Sequence, residues 1–173
     1  MAKQLEKYCA FCGRAFDDPR ASWPRTCVCG QITYRNPLPV VNVVVPVREG
    51  TRIGVLLIQR GFDPCRGQWA FPGGFMELNE TWQGGAAREL CEETGLVVDN
   101  PDMQIQLLDA GVSAAKDELI VIGTAPGYTL DTLPTIPKND EVLSWRVSFE
   151  PEPLAFPAHT AAMKKFFERI GSK

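Results

Sequence analysis

The chain has 173 residues, 45% of them apolar and 23% charged, with a net charge of −3 and a pI of about 5.3. That length suits one domain with a small appendage, and the composition excludes a wholly disordered chain or a coiled coil. The acidic balance leans away from a general nucleic-acid binder. No apolar run approaches the ~18 residues that span a bilayer, so no membrane partner is expected. The opening residues, Met1 to Lys7, lack the apolar core of a signal peptide, and the expected address is the cytoplasm.

Four of the six cysteines, Cys9, Cys12, Cys27 and Cys29, fall within the first 30 residues. Without a signal peptide, a metal site is a better reading than disulfides. Cys9-Ala-Phe-Cys12-Gly13 has the spacing of a zinc knuckle, a tight turn that aims two thiolates at one ion. Cys27-Val-Cys29-Gly30 is one residue shorter, so four-thiolate closure requires a bent backbone; reduced cysteines without metal are the alternative. A segment this small lacks a core of its own, which is why a structural zinc would help it fold.

Further along, Gln31–Pro39 reads as extended, because Asn36-Pro37 and Leu38-Pro39 exclude helix. The β-branched runs Val40–Val47 and Arg52–Arg60 predict two strands around Glu49-Gly50. Gly61–Gly74 predicts a loop, and Thr81–Thr94 a helix stopped by Gly95. Strands are expected at Gln104–Leu108, Glu118–Ala125 and Glu141–Val147. Pro126–Asn139 reads as a surface loop and Ala158–Ile170 as a terminal helix. The fold class is α+β, a mixed sheet with few helices.

On the first helix, Glu89, Glu92 and Glu93 stand at i, i+3 and i+4 and share one face. Ala87, Leu90, Cys91 and Thr94 fall on the other side, placed to pack on a sheet. Like charges at this spacing repel, and a divalent cation removes that penalty. Three carboxylates with waters suit a hard ion, Mg²⁺ or Mn²⁺; a solvated acidic face is the alternative. Arg88 lies beside this face and can hold a carboxylate through a bidentate pair.

Gly74, Glu80, Arg88, Glu89, Leu90, Glu92, Glu93, Gly95 and Leu96 fill every specified position of the Nudix box, Gly-x5-Glu-x7-Arg-Glu-U-x-Glu-Glu-x-Gly-U, where U is a bulky aliphatic. On those residues the chain is identified as a member of the Nudix hydrolase family. The resemblance implies a mixed β-sheet sandwiched between helices, with the box as loop–helix–loop. It also implies Mg²⁺-dependent hydrolysis of a nucleoside diphosphate linked to another moiety, a small-molecule nucleotide substrate. By box position, Glu89, Glu92 and Glu93 are the implied ligands of Mg²⁺ or Mn²⁺, with the Gly73 carbonyl joining them, and Arg88 is implied to orient a glutamate. Glu80 would support the box. The general base is implied to be Glu89, or a later carboxylate, Glu118 or Glu141.

The amino-terminal segment, with Tyr34-Arg35-Asn36-Pro37 following the cysteines, resembles the zinc-ribbon extension of one Nudix branch. That places a zinc-ribbon-like segment at residues 1–36 and the Nudix domain at 37–173. Members related to that branch act on ADP-ribose, FAD or NADH. Nothing from Val97 onward matches the Ser-Gln-Pro-Trp-Pro-Phe-Pro-x-Ser array usual in NADH pyrophosphatases, and no proline stands near Gly111 as in many ADP-ribose hydrolases. Removal of oxidised nucleoside triphosphates and non-catalytic nucleotide sensing are the competing readings. Similar enzymes are often homodimers. Arg60 and Phe71 are substrate-binding candidates beside Glu80, Glu118 and Glu141. His159 reads as a helix cap or surface residue, since no second histidine completes a metal set.

Overall fold

The computed structural model describes residues 7–18, 20–135 and 140–171, and it separates into Met1–Pro37 and Leu38–Lys173. In the first unit, Cys9 N–H donates to the Arg14 carbonyl (2.8 Å) and Cys27 N–H to the Gln31 carbonyl (2.9 Å), folding each cysteine pair into its own turn. Strands β1 (Arg25–Thr26) and β2 (Ile32–Thr33) pair antiparallel and support the second turn. Cys9, Phe16 and Cys27 form the core, with Trp23 packed against them. The extended reading of Gln31–Pro39 thus becomes β2 at one end and the start of β3 at the other.

The second unit opens with β3 (Leu38–Val44) and β4 (Pro46–Glu49), which the sequence pattern ran together as one strand. Pro46 has no N–H to donate, and the chain changes sheets there. Next come β5 (Arg52–Arg60), β6 (Trp69–Ala70) and β7 (Gly73–Phe75), so the expected loop at Gly61–Gly74 contains two short strands. Helix α1 (Trp82–Thr94) follows. The Thr81 hydroxyl caps it by accepting from Gly84 N–H, and Gly95 closes it. A single turn, α2 (Pro101–Gln104), leads into β8 (Gln106–Val112), displaced toward the C-terminus from its expected span. Then come β9 (Glu118–Thr124), β10 (Tyr128–Thr129), β11 (Val142–Ser148) and α3 (Pro157–Gly171). The loop expected at Pro126–Asn139 holds β10 and a 3₁₀ turn at Leu130–Thr132; its residues 136–139 lie outside the described residues.

One sheet has the order β7-β3-β9-β8, with β3 and β9 parallel and the other pairs antiparallel. The other runs β10-β4-β5-β11, with β6 beside β5. Two cores lie on opposite sides of β3. Val41 and Val43 pack with Ala86 and Leu90 of α1, while Val44 packs with Ala162, Met163 and Phe166 of α3. The alternation of side chains along β3 therefore seats one helix on each face, the expected sandwich. Among the described residues, no helix is long and apolar enough to cross a membrane.

Candidate active site

Strand β7 is an edge strand, and its register fixes what it offers. Val43 N–H donates to the Pro72 carbonyl (2.9 Å) and Met76 N–H to the Pro39 carbonyl (3.0 Å). The intervening residues Gly73 and Phe75 consequently turn their backbone groups away from β3. Those groups meet the box helix. Gly73 N–H donates to Glu93 Oε2 at 2.8 Å, and the Phe75 carbonyl accepts from Arg88 Nη2 at 3.0 Å. The Gly73 carbonyl is left facing the same side.

Arg88 gathers the remaining carboxylates. Its Nε and Nη2 bracket Glu80 (3.2 and 3.0 Å), while Nη1 reaches Glu89 Oε1 at 2.8 Å and Glu92 Oε2 at 3.1 Å. Glu80 also accepts from Glu77 N–H at 2.6 Å. The Arg88 hydrogen bonds hold the Glu80 carboxyl below its usual range. Burial raises that of Glu89 against the opposing pull of Arg88. Glu93 is only 4% exposed, and burial pushes its carboxyl up to about 8. The Gly73 N–H opposes that rise, and the charges of Glu89 and Glu141 add to it.

The two glycines of β7 differ in what surrounds them. A Cβ on Gly73 would lie 2.2 Å from the Val41 carbonyl oxygen, and one on Gly74 2.6 Å from the Glu89 carboxylate. Gly73 therefore admits no side chain against the β3 backbone, whereas a side chain on Gly74 would push the Glu89 carboxylate aside. The donors on this edge are carboxylate and carbonyl oxygens, the hard set that Mg²⁺ or Mn²⁺ prefers.

The later candidates separate by position. Glu141 directly precedes β11, its carbonyl accepting from Gly61 N–H at 2.7 Å, and its charge acts on both Glu89 and Glu93. Glu118 stands opposite Leu38, four residues along β3 from the Asn42 position that faces Gly73. At about 3.3 Å per residue that is roughly 13 Å along the strand. Arg60 closes β5 with its guanidinium 4.6 Å from the Phe62 ring and 5.0 Å from that of Phe156, and its charge acts on Glu93.

Three expectations need correction. Phe71 is 1% exposed and belongs to the core, so it offers no face to a ligand. Cys91 is exposed; Ala86 takes the packing position instead, because α1 meets β3 along Ala86, Leu90 and Thr94. His159 is buried rather than a cap or surface residue. Its ring stacks on Phe71 (centroids 5.1 Å apart), and its Nδ1 accepts from Phe71 N–H at 3.2 Å. The signal was present in the sequence. His159, Ala162, Met163 and Phe166 follow the i, i+3, i+4, i+7 spacing of one helix stripe. Burial pushes the His159 pKa down to about 3, with the Arg60 charge adding to that, so the imidazole is neutral.

In the first unit the four cysteine sulfurs all lie within 4.8 Å of one another. Cys9 and Cys29 are 3.8 Å apart, Cys12 and Cys27 3.6 Å. Tetrahedral zinc with bonds of about 2.3 Å sets sulfurs about 3.8 Å apart, so the donor set fits that ion despite the shortened second pair. The backbone amides of Cys12 and Phe11 pull the Cys9 thiol down to about 6, which favours the thiolate.

A two-helix, mixed-sheet sandwich with the buried Glu93 and its neighbouring glutamates against a glycine-bearing edge strand defines a class of carboxylate-centred helix–loop site. The model of the NUDIX domain matches residues 37–170, and the chain belongs to that family. The crystal structure of a NUDIX hydrolase from Nitrosomonas europaea is 30% identical, with a TM-score of 0.74 over 96% of this chain and 93% of that one. Among curated proteins, the NAD-capped RNA hydrolase NudC of Haemophilus influenzae (strain PittEE) is 32% identical over 98 residues, 56% of this chain and 36% of that protein. The NudC of Klebsiella pneumoniae subsp. pneumoniae is 27% identical over 167 residues, 83% of this chain and 63% of its own length. The chain thus spans between about a third and two thirds of those curated relatives.

Proposed function

We propose that this chain is a Mg²⁺- or Mn²⁺-dependent hydrolase that cleaves the diphosphate of a nucleoside diphosphate joined to a second moiety. Dinucleotide-like compounds such as FAD, ADP-ribose or NADH are the substrate class. The observation that carries this reading is that the outward groups of β7 hold Glu93 directly and, through Arg88 on the Phe75 carbonyl, Glu89 and Glu92. Similarity to proteins named NAD-capped RNA hydrolase supports a dinucleotide-type diphosphate as the bond attacked.

In this reading Glu89, Glu92, Glu93 and the Gly73 carbonyl hold the divalent ion. When bound, the ion neutralises charge on the diphosphate oxygens and lowers the pKa of water. Arg88 acts on position, fixing Glu89 and Glu92 while Glu80 anchors its guanidinium. Glu89 acts as general base toward the attacking water. Glu141 is placed to share that work. Arg60, beside Glu93, meets a substrate phosphate. Cys9, Cys12, Cys27 and Cys29 hold a structural zinc in residues 1–36, ahead of the hydrolase domain at 37–173.

The test is a substrate screen with Mg²⁺ over FAD, ADP-ribose, NADH, diadenosine polyphosphates and oxidised dGTP, with Glu93→Gln as the blank. Cleavage of a dinucleotide to two monophosphate products, lost in the variant, is the expected result. Release of pyrophosphate from the triphosphate alone would overturn the substrate class. Turnover of none would overturn the reading as an enzyme of this class.

A further inference from the structure

The net charge of −3 conceals an uneven split. Residues 1–37 hold six Lys and Arg against three Asp and Glu, so residues 38–173 carry −6. Opposite charge on two parts of a chain points to a polyanionic partner at the basic part. The first unit also carries more aromatic surface than its core uses. Phe16 and Trp23 are inside, and Arg25 is folded among them with its guanidinium 4.1 Å from the Trp23 ring. Three other rings stay outside: Tyr8 is 48% exposed, Phe11 65% and Tyr34 63%.

The segments that carry these rings are neighbours. Tyr8 bridges Ala15, and Cys9 N–H donates to the Arg14 carbonyl, so Tyr8 and Arg14 lie on the two arms of one hairpin with Phe11 near its tip. Ala10 N–H reaches Thr33 Oγ1 at 3.4 Å, which sets the end of β2, and Tyr34 after it, beside that hairpin. Thr33 is buried, so strand alternation turns Tyr34 outward.

We propose that the cysteine-rich unit binds single-stranded nucleic acid, with Tyr8, Phe11 and Tyr34 stacking on bases and Lys7 and Arg14 meeting phosphates. Exposed rings interleaved with cations are what an unpaired strand presents its bases and backbone to, and stacking of this kind tolerates any sequence. A duplex hides its base faces and gains only the charge term. The whole-chain charge argued against such a partner because the acidic second unit outweighs the basic first one. The inference does not depend on the reaction proposed above, since none of these residues belongs to the glutamate site.

The test is fluorescence anisotropy of the full chain with a labelled oligouridine 12-mer and with a duplex of equal length, at 50 and 200 mM salt. The expected result is preference for the single strand. Affinity should fall roughly fivefold or more between the two salts, as the two counterions released by Lys7 and Arg14 would give. Phe11→Ser, Tyr34→Ala and Arg14→Glu should each weaken binding about fivefold or more. Their side chains are exposed, and unchanged thermal melts would confirm intact folding. Absence of binding at 50 mM salt, equal affinity for the duplex, or affinity untouched by all three variants would overturn the proposal. So would a dimer, seen by sedimentation, that Phe11→Ser dissociates, because the surface would then belong to a second copy of this chain.

Discussion

Two clusters of four like groups stand in this chain, and they are held in opposite ways. The thiols of the first unit are already gathered, all within 4.8 Å. Among the described residues, no other set of three or more His, Cys, Asp or Glu ligand atoms is that close. The carboxylates of the second unit are spread around a cation of the protein's own, Arg88, which bonds Glu80, Glu89 and Glu92. Two local turns suffice to collect the four sulfurs. Carboxylates repel, and an arginine fork is what keeps them in one place. The first arrangement suits an ion that stays; the second suits one that comes and goes with substrate.

The contrast can be broken first at the thiols. Stripping zinc with a strong chelator should unfold residues 7–37, since structural zinc contributes on the order of 10 kcal/mol in small modules. NMR dispersion should collapse for that unit and persist for residues 38–171; persistence in both would make the cysteines mere core. At the carboxylates the expectation is reversed, with function lost and fold kept. Glu93→Gln should lower turnover about 10³-fold, roughly 4 kcal/mol of barrier. Its folded pKa, near 8, lies above the ordinary carboxyl value of 4.5. The ionised form therefore destabilises the metal-free fold as pH rises from 4.5 through 8. Metal-free Glu93→Gln should melt at or above the wild type at pH 8, and a lower melting temperature would make the carboxylate structural.

A smaller change sharpens the same point. Gly74→Ala places a methyl group 2.6 Å from the Glu89 carboxylate and must displace it. A displacement of that size should lower kcat about 10- to 100-fold while leaving zinc content unchanged. The smallest effect concerns His159. Its folded pKa of about 3 lies below the ordinary 6.5, so its contribution is complete above pH 6.5 and is lost as pH falls toward 3. The loss should approach 1.4 kcal/mol per pH unit at most. His159→Gln, which cannot charge, should flatten the decline of the melting temperature between pH 6.5 and 4.

The glutamate spacing, the cysteine pairs and the two-helix sandwich were legible because each rests on local periodicity or fixed spacing. What was not legible depends on contacts between distant segments. Nothing in the spacing distinguishes Glu141 from Glu118; the antiparallel pairing of β11 with β5 brings the first beside the box, and the pairing of β9 with β3 carries the second along the sheet. Phe71 reads as a ligand platform until the helix bearing His159 is seen to cover it. Val40–Val47 reads as one strand because hydrophobic runs do not say which sheet they join; Pro46 marks the change. The charge of the first unit was legible too, but only when counted separately from the rest.

The edge position of β7 has a last consequence, for solubility. An uncovered edge strand presents unpaired N–H and C=O groups on which another chain can add a strand and begin to aggregate. Here Glu93 occupies the Gly73 N–H and Arg88 the Phe75 carbonyl. The residues proposed to do the chemistry therefore also seal the sheet. A chain that lost both would expose a bare edge next to the exposed Phe75 and Leu78. Decay of this site would cost the molecule its protection against self-association as well as its reaction.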